Sequence, residues 1–272
     1  MELAPTAVSR PGDAYIWRLL ATAMSFMLFG VGCLTLRLFV FPLLACLPGG
    51  RARHRERARR TISWLFWRFV QVMRAMGVLT YEIEGAERLG RPGQMIIANH
   101  PSLIDVVFLI GLVRQANCVV KQSLFDNPFT RGPVSEAQYI GNDGSMDMLD
   151  TAVASLQQGQ TLVIFPEGTR TSPGQAPAFH RGAAAIALRG ASVITPVTIK
   201  VSPTTLTKNE PWYRIPVRRV HFTLSVGPDV HPDAYTALGP APKASRLLND
   251  YLHNYYIKEL AADERATAKP QP

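Results

Sequence analysis

Residues 95–105 read Met-Ile-Ile-Ala-Asn-His-Pro-Ser-Leu-Ile-Asp, a short apolar run followed at once by polar residues. The apolar residues 95–98 are typical of a buried β-strand, because a strand covered on both faces is almost continuously apolar. Pro101 can open a helix, since the first helical position needs no backbone N–H. The stretch therefore predicts a strand, a polar loop and a helix, and open α/β sheets bind their ligands at such loops.

The same alternation of apolar runs and helical stretches continues along the chain to residue 260. Short runs rich in β-branched residues predict strands, and apolar residues at helical spacing predict helices between them. The predicted strands are 80–84, 95–98, 118–121, 161–165, 193–199 and 220–226, and the predicted helices are 101–113, 145–158, 181–188 and 244–260. The sequence thus predicts one α/β domain over 79–260, with a mainly parallel sheet covered by helices on both faces and a mixed last pair of strands.

His100 and Asp105 are the first candidates for chemistry in the loop after residues 95–98. If residues 101–106 form a helix, the carboxylate comes back under the imidazole and keeps one ring nitrogen protonated. The other ring nitrogen is then free to accept a proton. The spacing predicts a general base with an orienting carboxylate.

A second polar loop, Phe165-Pro166-Glu167-Gly168-Thr169-Arg170, ends the predicted strand 161–165. Proline and glycine in this order favour a tight, exposed turn that presents a carboxylate, a hydroxyl and a guanidinium together. Arg170 is suited to bidentate pairing with a phosphate, assisted by backbone N–H groups around Gly168. The alternative is a surface turn stabilised by an ion pair between Glu167 and Arg170.

Residues 19–36 form an apolar stretch of eighteen residues without a charge. As a helix it would be about 27 Å long, close to the thickness of the hydrocarbon core. Arg37 interrupts this stretch, and residues 38–47 resume it with Pro42 inside, which disfavours one long straight helix. Two arrangements of membrane-embedded helices stay open: one tilted helix that spans the bilayer with Arg37 reaching the interface, or two helices that form a hairpin in one leaflet.

A basic cluster follows at residues 51–60, where six arginines are accompanied by one glutamate. The whole chain has 29 basic and 20 acidic residues, so most of the excess charge is local. This distribution argues against nucleic-acid binding, which uses basic residues spread over a folded face. Basic residues beside an apolar segment favour the cytoplasmic side and attract anionic headgroups. We therefore expect the inner membrane, its cytoplasmic face, and lipids rather than nucleic acid as partners.

Residues 61–78 are also rich in large apolar side chains. They predict either a helix in the membrane interface, continuous with the basic cluster, or a helix that packs on the core of the domain. Residues 15–78 are accordingly assigned as a membrane-anchoring helical segment, residues 1–14 as an N-terminal tail and residues 261–272 as a flexible tail. A cleaved signal peptide is disfavoured, because the start is not basic and the arginines would oppose export.

Composition and cysteine spacing exclude other classes of protein. The chain is 47% apolar, which is too apolar for disorder. Its three cysteines show no paired spacing, so the sequence predicts neither a disulfide framework nor a metal site, and a reducing compartment fits. A serine hydrolase that uses Ser102 is disfavoured, because neighbouring residues do not readily make the hydrogen bond between nucleophile and base, and the G-x-S-x-G elbow is missing.

Taken together, the two polar loops resemble the motifs of the glycerolipid acyltransferase family, the 1-acylglycerol-3-phosphate acyltransferases and their lysophospholipid relatives. That family has N-H-x-x-x-x-D followed later by F-P-E-G-T-R. Two weaker matches agree in order: residues 120–125 with Pro128 resemble its second block, and residues 194–197 resemble its fourth. The resemblance covers about residues 81–226 and also implies an N-terminal helical pair seated in the membrane.

The resemblance implies transfer of a fatty acyl group from a thioester, either acyl-CoA or acyl carrier protein, to a hydroxyl of a lysophospholipid-like acceptor. His100 would be the general base and Asp105 its orienting carboxylate, with no covalent acyl-enzyme, no metal and no other cofactor. The substrate-binding residues that it implies are Glu167, Gly168, Thr169, Arg170, Lys121 and Asn99.

One departure from the family pattern concerns the acceptor. The second block usually ends in an apolar residue, aspartate and arginine, whereas residues 139–143 read Tyr-Ile-Gly-Asn-Asp and lack that arginine. Arg131 lies earlier and could take the place of that arginine in space, but its stretch equally suits a solvent turn. The acceptor could therefore be a lyso-aminolipid or a hydroxyacyl lipid instead of lysophosphatidate. A membrane lipid-binding protein without catalysis is the rival from another class.

Overall fold

A computed structural model describes residues 14–267, with side chains described for residues 14–261. The predicted tail at residues 1–14 lies outside this part except for its last residue. The helices are α1 (Tyr15–Thr35), α2 (Phe41–Ala45), α3 (Gly50–Ala75), α4 (Asp105–Leu112), α5 (Arg131–Glu136), α6 (Met146–Gln157), α7 (Gly182–Gly190), α8 (Asp233–Thr236) and α9 (Ala241–Thr267). The strands are β1 (Leu79–Glu84), β2 (Gln94–Ala98), β3 (Asn117–Lys121), β4 (Ile140–Asn142), β5 (Leu162–Ile164), β6 (Val193–Ser202) and β7 (Val220–Val226).

The strands form one sheet in the order β1-β7-β6-β2-β5-β3-β4. Every pair is parallel except β6 and β7, which are antiparallel. The prediction of a mainly parallel sheet with a mixed last pair is confirmed. Because β2 and β5 are neighbours, the two polar loops that follow them leave the same edge of the sheet side by side.

Helices cover both faces of the sheet, as predicted. Alternation along β2 shows the two layers: Ile96 and Ala98 pack into the core under α3 and α4, whereas Met95 and Ile97 pack into the core under α6, α7 and α9. All four side chains are fully buried. The near-continuous apolar character of this strand therefore reflects two separate cores, one on each face.

Two short elements differ from the predictions. The stretch at Arg131, for which a solvent turn was one of two alternatives, is helix α5. Its Gly132 is buried so close to Arg37 that a Cβ atom on this glycine would lie 2.6 Å from the arginine Cβ. Strand β4 is an additional edge strand of three residues. Neither element has enough residues for a periodic pattern, so the sequence alone does not reveal them.

The N-terminal segment forms one continuous apolar helix where a break at Pro42 was expected. The helix Tyr15–Ala45 has 31 residues and is long and apolar enough to cross a membrane. A π-helical turn, Leu36–Val40, precedes the proline, and the N–H of Phe41 donates to Leu36 O. This widened turn removes the clash that a proline ring causes in a regular helix, so the helix continues through it.

Helix α3 returns along α1 and carries both the basic cluster and residues 61–75. Its Ile62, Val70 and Met73 are buried in the core of the domain. Gly111 of α4 approaches α3 closely, since a Cβ atom on it would lie 3.0 Å from Trp67 N. Of the two interpretations of residues 61–78, this packing favours a helix that belongs to the core.

At the other end of the chain, α9 begins before and ends after the predicted helix. It is helical through Thr267, so residues 261–267 of the expected flexible tail continue this helix, and residues 268–272 lie outside the described part. Leu248, Leu252 and Tyr256 bury the inner face of this helix against the sheet.

Candidate active site

His100 and Asp105 come together in the loop after β2. His100 Nδ1 lies 3.0 Å from Asp105 Oδ2, and the backbone N–H of Ser102 donates to the same oxygen at 2.7 Å. Residues 101–104 form a turn where a helix was expected, because α4 begins only at Asp105. The turn brings the carboxylate back to the imidazole just as a helix would, so the predicted pair is present.

Asp105 is fully buried, and burial raises the pKa of its carboxyl above the ordinary value. The hydrogen bonds from His100 and Ser102 and the charge of Arg170 act in the opposite direction. Since the carboxylate accepts from Nδ1, the proton of neutral His100 is assigned to Nδ1 and the lone pair to Nε2. This is the form of histidine that accepts a proton from a substrate.

The imidazole of His100 is held from several sides. Its side chain is 15% exposed, and its ring lies on Phe165 with 4.4 Å between ring centroids. Its backbone N–H donates to Glu167 Oε1 at 2.9 Å, and its carbonyl accepts from the N–H of Thr171 at 3.0 Å. The second polar loop therefore positions the base through the backbone as well as through packing.

Glu167 points inward from the turn after β5. It is 4% exposed, and its second oxygen accepts a hydrogen bond from the hydroxyl of Thr171. Burial, assisted by the negative charge of Asp105, raises the pKa of Glu167 to about 7, although the hydrogen bond from His100 lowers it. The structure gives this predicted substrate-binding residue a positioning role toward His100.

The exposed part of the turn consists of Gly168 and Thr169. Gly168 has φ +66°, in the left-handed region that favours glycine. A Cβ atom on Gly168 would lie 3.6 Å from His180 Cδ2 and 3.8 Å from both His180 Nε2 and Asn142 Nδ2. His180 and Asn142 therefore flank the turn.

Arg170 lies against the loop after β6. Its Nη1 donates to Leu206 O at 2.7 Å and to Thr207 O at 2.9 Å. The sequence left open a surface ion pair between Glu167 and Arg170. Among the residues that it describes, the structure does not show this pair, because each of the two side chains forms its hydrogen bonds with other residues. The guanidinium still acts on Asp105 through its charge, so it remains beside the pair of His100 and Asp105.

The other two predicted substrate-binding residues have different surroundings. Asn99 is buried and joins β2 to β6, since its Nδ2 donates to Ile199 O at 2.8 Å and its Oδ1 accepts from Ile199 N at 2.7 Å. Lys121 is exposed at the end of β3, in register with Asn142 on β4. Asn99 therefore fixes the start of the loop that carries His100, and Lys121 lies on the exposed edge that carries Asn142.

Within the described residues, no three His, Cys, Asp or Glu side chains come together as ligands for a metal ion. The site consists of an oriented histidine base in one loop and an exposed glycine turn, flanked by an imidazole and an amide, in the next. This arrangement can remove a proton from a hydroxyl group that is held over the turn.

Comparisons with known proteins identify relatives of this chain. A family model described as Acyltransferase matches residues 80–200. The 1-acyl-sn-glycerol-3-phosphate acyltransferase of Pseudomonas aeruginosa is 24% identical over 249 residues, which are 88% of this chain and 89% of the relative. The protein of the same name from Saccharomyces cerevisiae is 31% identical over 153 residues, 52% of this chain and 50% of the relative.

The fold is also similar to a solved structure, the crystal structure of the 1-acyl-sn-glycerophosphate acyltransferase PlsC from Thermotoga maritima. The two have a TM-score of 0.70 and 19% sequence identity, and the match covers 94% of this chain and 99% of the other. The matching family model and the named relatives identify an acyltransferase. Residues 80–200 are thus similar to that acyltransferase family, and most of the chain is similar to 1-acyl-sn-glycerol-3-phosphate acyltransferases.

Proposed function

We propose that the protein transfers a fatty acyl group from an acyl thioester to a hydroxyl of a lysophospholipid-like acceptor. The observation that carries this proposal is the pairing of His100 Nδ1 with the buried Asp105 carboxylate, which leaves Nε2 as a base beside an exposed turn. Relatives named 1-acyl-sn-glycerol-3-phosphate acyltransferase support this class of acceptor.

In the proposed reaction, His100 Nε2 takes the proton from the acceptor hydroxyl as its oxygen attacks the thioester carbonyl. The new ester bond forms, the carbon–sulfur bond breaks, and the imidazolium returns the proton to the departing thiolate. Asp105 stabilises the imidazolium while it exists. General-base catalysis of this kind contributes about 10²–10⁴ in rate.

Direct transfer without a covalent acyl-enzyme fits the burial of the nearby nucleophiles. Ser102 is fully buried in the turn between His100 and α4. Cys118 is also fully buried, and burial raises the pKa of its thiol to about 12, so it stays protonated. Neither group is exposed to a thioester, which disfavours the serine hydrolase and acyl-enzyme alternatives.

The acceptor headgroup would lie over Gly168 and Thr169, beside His180 and Asn142. Both flanking side chains offer N–H donors to a headgroup oxygen, and Asn142 stands in the stretch where the family pattern has an arginine. An amide binds a phosphate less strongly than a guanidinium does. This substitution favours lyso-aminolipids or hydroxyacyl lipids as the second candidate class of acceptor.

The contacts of the helix Tyr15–Ala45 favour a position in the plane of the membrane. The helix is attached to the rest of the protein along its length: Trp17 donates to Met76 O at 2.8 Å, Phe29 packs on Phe69, and Arg37 donates to Pro128 O at 2.9 Å. Its opposite face exposes apolar side chains, among them Ile16, Leu20, Met27, Val31, Phe39 and Leu43. A helix bound along one face to the catalytic domain buries the other face in one leaflet more readily than it crosses the bilayer.

We place this face in the inner membrane, with the catalytic domain on its cytoplasmic side. The basic cluster at residues 51–60 begins α3, just after the apolar helix ends, where it meets anionic headgroups. An acidic donor, acyl-CoA or acyl carrier protein, would approach from the same cytoplasmic side.

The test is acyl transfer from labelled thioesters into a panel of acceptors by the intact protein in membranes. Acyl-CoA and acyl carrier protein serve as donors, and lysophosphatidate, lyso-aminolipids and hydroxyacyl lipids serve as acceptors. We expect one acceptor class to be acylated by the parent protein and not by His100→Ala. Product that persists in His100→Ala would refute the mechanism, and absence of product with both donors and all acceptors would favour a non-catalytic lipid-binding protein.

A further inference from the structure

The segment 203–219 joins β6 to β7 and is unusually long for its place in the fold. Antiparallel neighbours need only a tight turn, and loops longer than about 12–15 residues without their own secondary structure are uncommon and usually functional. This segment, which we call the β6–β7 loop, lies wholly within the described residues and contains no helix or strand. Its length therefore indicates that the loop has a function besides connecting the two strands.

The first part of the β6–β7 loop is fastened to the active site. Leu206 O accepts hydrogen bonds from Arg170 Nη1 and from the N–H of Leu103, the latter at 3.2 Å. Glu210 closes this part of the loop by accepting from the N–H and the hydroxyl of Thr207, each at 3.1 Å. The loop thus contacts both polar loops that build the catalytic site.

The second part of the β6–β7 loop is fastened to α1. The buried guanidinium of Arg18 donates to the carbonyls of three successive residues, Pro216, Val217 and Arg218. The ring of Trp212 lies 5.7 Å from that of Phe26 on α1. These contacts hold the loop on the flank of the helix whose outer face is apolar and exposed.

The outer surface of the β6–β7 loop combines apolar and basic side chains. Trp212 is 41% exposed, Tyr213 is 59% exposed and Val217 is 55% exposed. Lys208 and Arg214 are exposed beside them, and the loop as a whole has four basic residues and one acidic residue. Tryptophan and tyrosine favour the headgroup depth of a bilayer, and nearby basic residues favour anionic lipids.

We infer that the β6–β7 loop is a second lipid-binding element, which binds the surface of an anionic bilayer beside the apolar face of α1. This inference rests on the proposed position of α1 in the membrane plane. An anionic bilayer fits this loop because the loop is basic and because its exposed apolar side chains continue the apolar face of α1. An acidic carrier protein would match the charge but not the exposed Trp212, Tyr213 and Val217 next to α1.

The experiment compares binding of the full-length protein to phosphatidylglycerol vesicles and to phosphatidylcholine vesicles by flotation. The charge variant is Lys208→Gln with Arg214→Gln, and its matched control is Lys243→Gln with Arg246→Gln on α9, across the sheet. We expect roughly a thirtyfold loss of binding to phosphatidylglycerol for the first pair, from the usual effect of two basic residues at an anionic surface, and parent-like binding for the control.

A second comparison removes the aromatic side chains without changing charge. Trp212→Ala with Tyr213→Ala should weaken binding to both kinds of vesicle several-fold, whereas Tyr251→Ala, whose side chain is 42% exposed on α9, should bind like the parent. Loop variants that bind both vesicles like the parent would overturn the inference, as would a parent protein that binds neither. Unchanged vesicle binding with a loss of affinity for acyl carrier protein would assign the surface to the donor instead.

Acyl transfer in detergent micelles, measured on the same variants, separates this inference from the proposed function. The loop variants should keep parent activity there, because no bilayer is involved. If the parent is inactive while the loop variants still lose vesicle binding, the proposed function fails and the loop inference holds. If activity is present and vesicle binding is unchanged, the loop inference alone fails.

Discussion

Replacing Glu167 by glutamine changes one charge at the centre of the site and keeps the shape of the side chain. The amide oxygen of the glutamine can still accept from the N–H of His100, and the hydroxyl of Thr171 can turn to accept from the amide NH₂ group. The substitution therefore isolates the effect of the buried carboxylate from the effect of the hydrogen bonds around it.

The pKa of Glu167 sets both the sign and the size of the expected change. Burial raises this pKa from 4.5 to about 7, so between these pH values the folded protein binds more protons than the unfolded chain and stability falls as pH rises. Each unit of difference between the folded and unfolded pKa corresponds to about 1.4 kcal/mol. Above pH 7 the ionised, buried carboxylate therefore lowers the free energy of unfolding by about 3 kcal/mol. The side chain is 4% exposed, so solvent screening does not reduce this figure much.

Glu167→Gln should therefore gain stability relative to the parent as pH rises from 5 to 8, by about 3 kcal/mol or a shift in Tm of about 6–12 °C. The measurement is thermal unfolding of the detergent-solubilised protein at both pH values and one scan rate. Glu84→Gln, on an exposed side chain of β1, is the control and should show no such pH dependence. A difference between Glu167→Gln and the parent that is equal at pH 5 and pH 8 would refute the reasoning.

Three further predictions concern Asp105, the two residues that flank the turn, and the packing of α9 on the sheet. Asp105→Asn should lower kcat by about 10²–10⁴ with little change in acceptor KM, because the amide cannot stabilise protonated His100; steady-state kinetics checks this. His180→Ala and Asn142→Ala should each raise acceptor KM about fivefold and leave kcat near the parent value, as expected for the loss of one hydrogen bond, and unchanged KM would contradict the assigned acceptor site. Tyr256→Phe should cost about 1–3 kcal/mol in denaturant unfolding, because its buried hydroxyl donates to β2 at 2.6 Å and bonds to β6; a cost near zero would contradict this.

The sequence predicted the parts of the fold and site that depend on local patterns. His100 and Asp105 are five residues apart, so a turn or a helix brings their side chains together, and the error about which one forms has no effect on the pair. The parallel sheet could also be predicted, because strands such as β2 are buried on both faces and leave continuous apolar runs.

The rest of the site depends on packing between distant segments. Asn142 and His180 meet at Gly168 because β4, the turn after β5 and the segment before α7 converge at one edge of the sheet. Their spacing in sequence carries no period that would reveal this. Arg170 likewise has a predictable charge, but its partners Leu206 and Thr207 belong to a loop whose path only the tertiary structure defines.

In the proposed reaction, the second polar loop positions His100 as well as binding the acceptor, because several of its side chains face inward. Glu167 and Thr171 hold the backbone of His100 on both sides, Asp105 holds its ring, and Arg170 holds the neighbouring loop. Only Gly168 and Thr169 face outward from the turn. Substitutions in this loop should therefore have two kinds of effect. Those at inward-facing residues should lower kcat by displacing the His100 base, and those at outward-facing residues should raise KM by weakening acceptor binding.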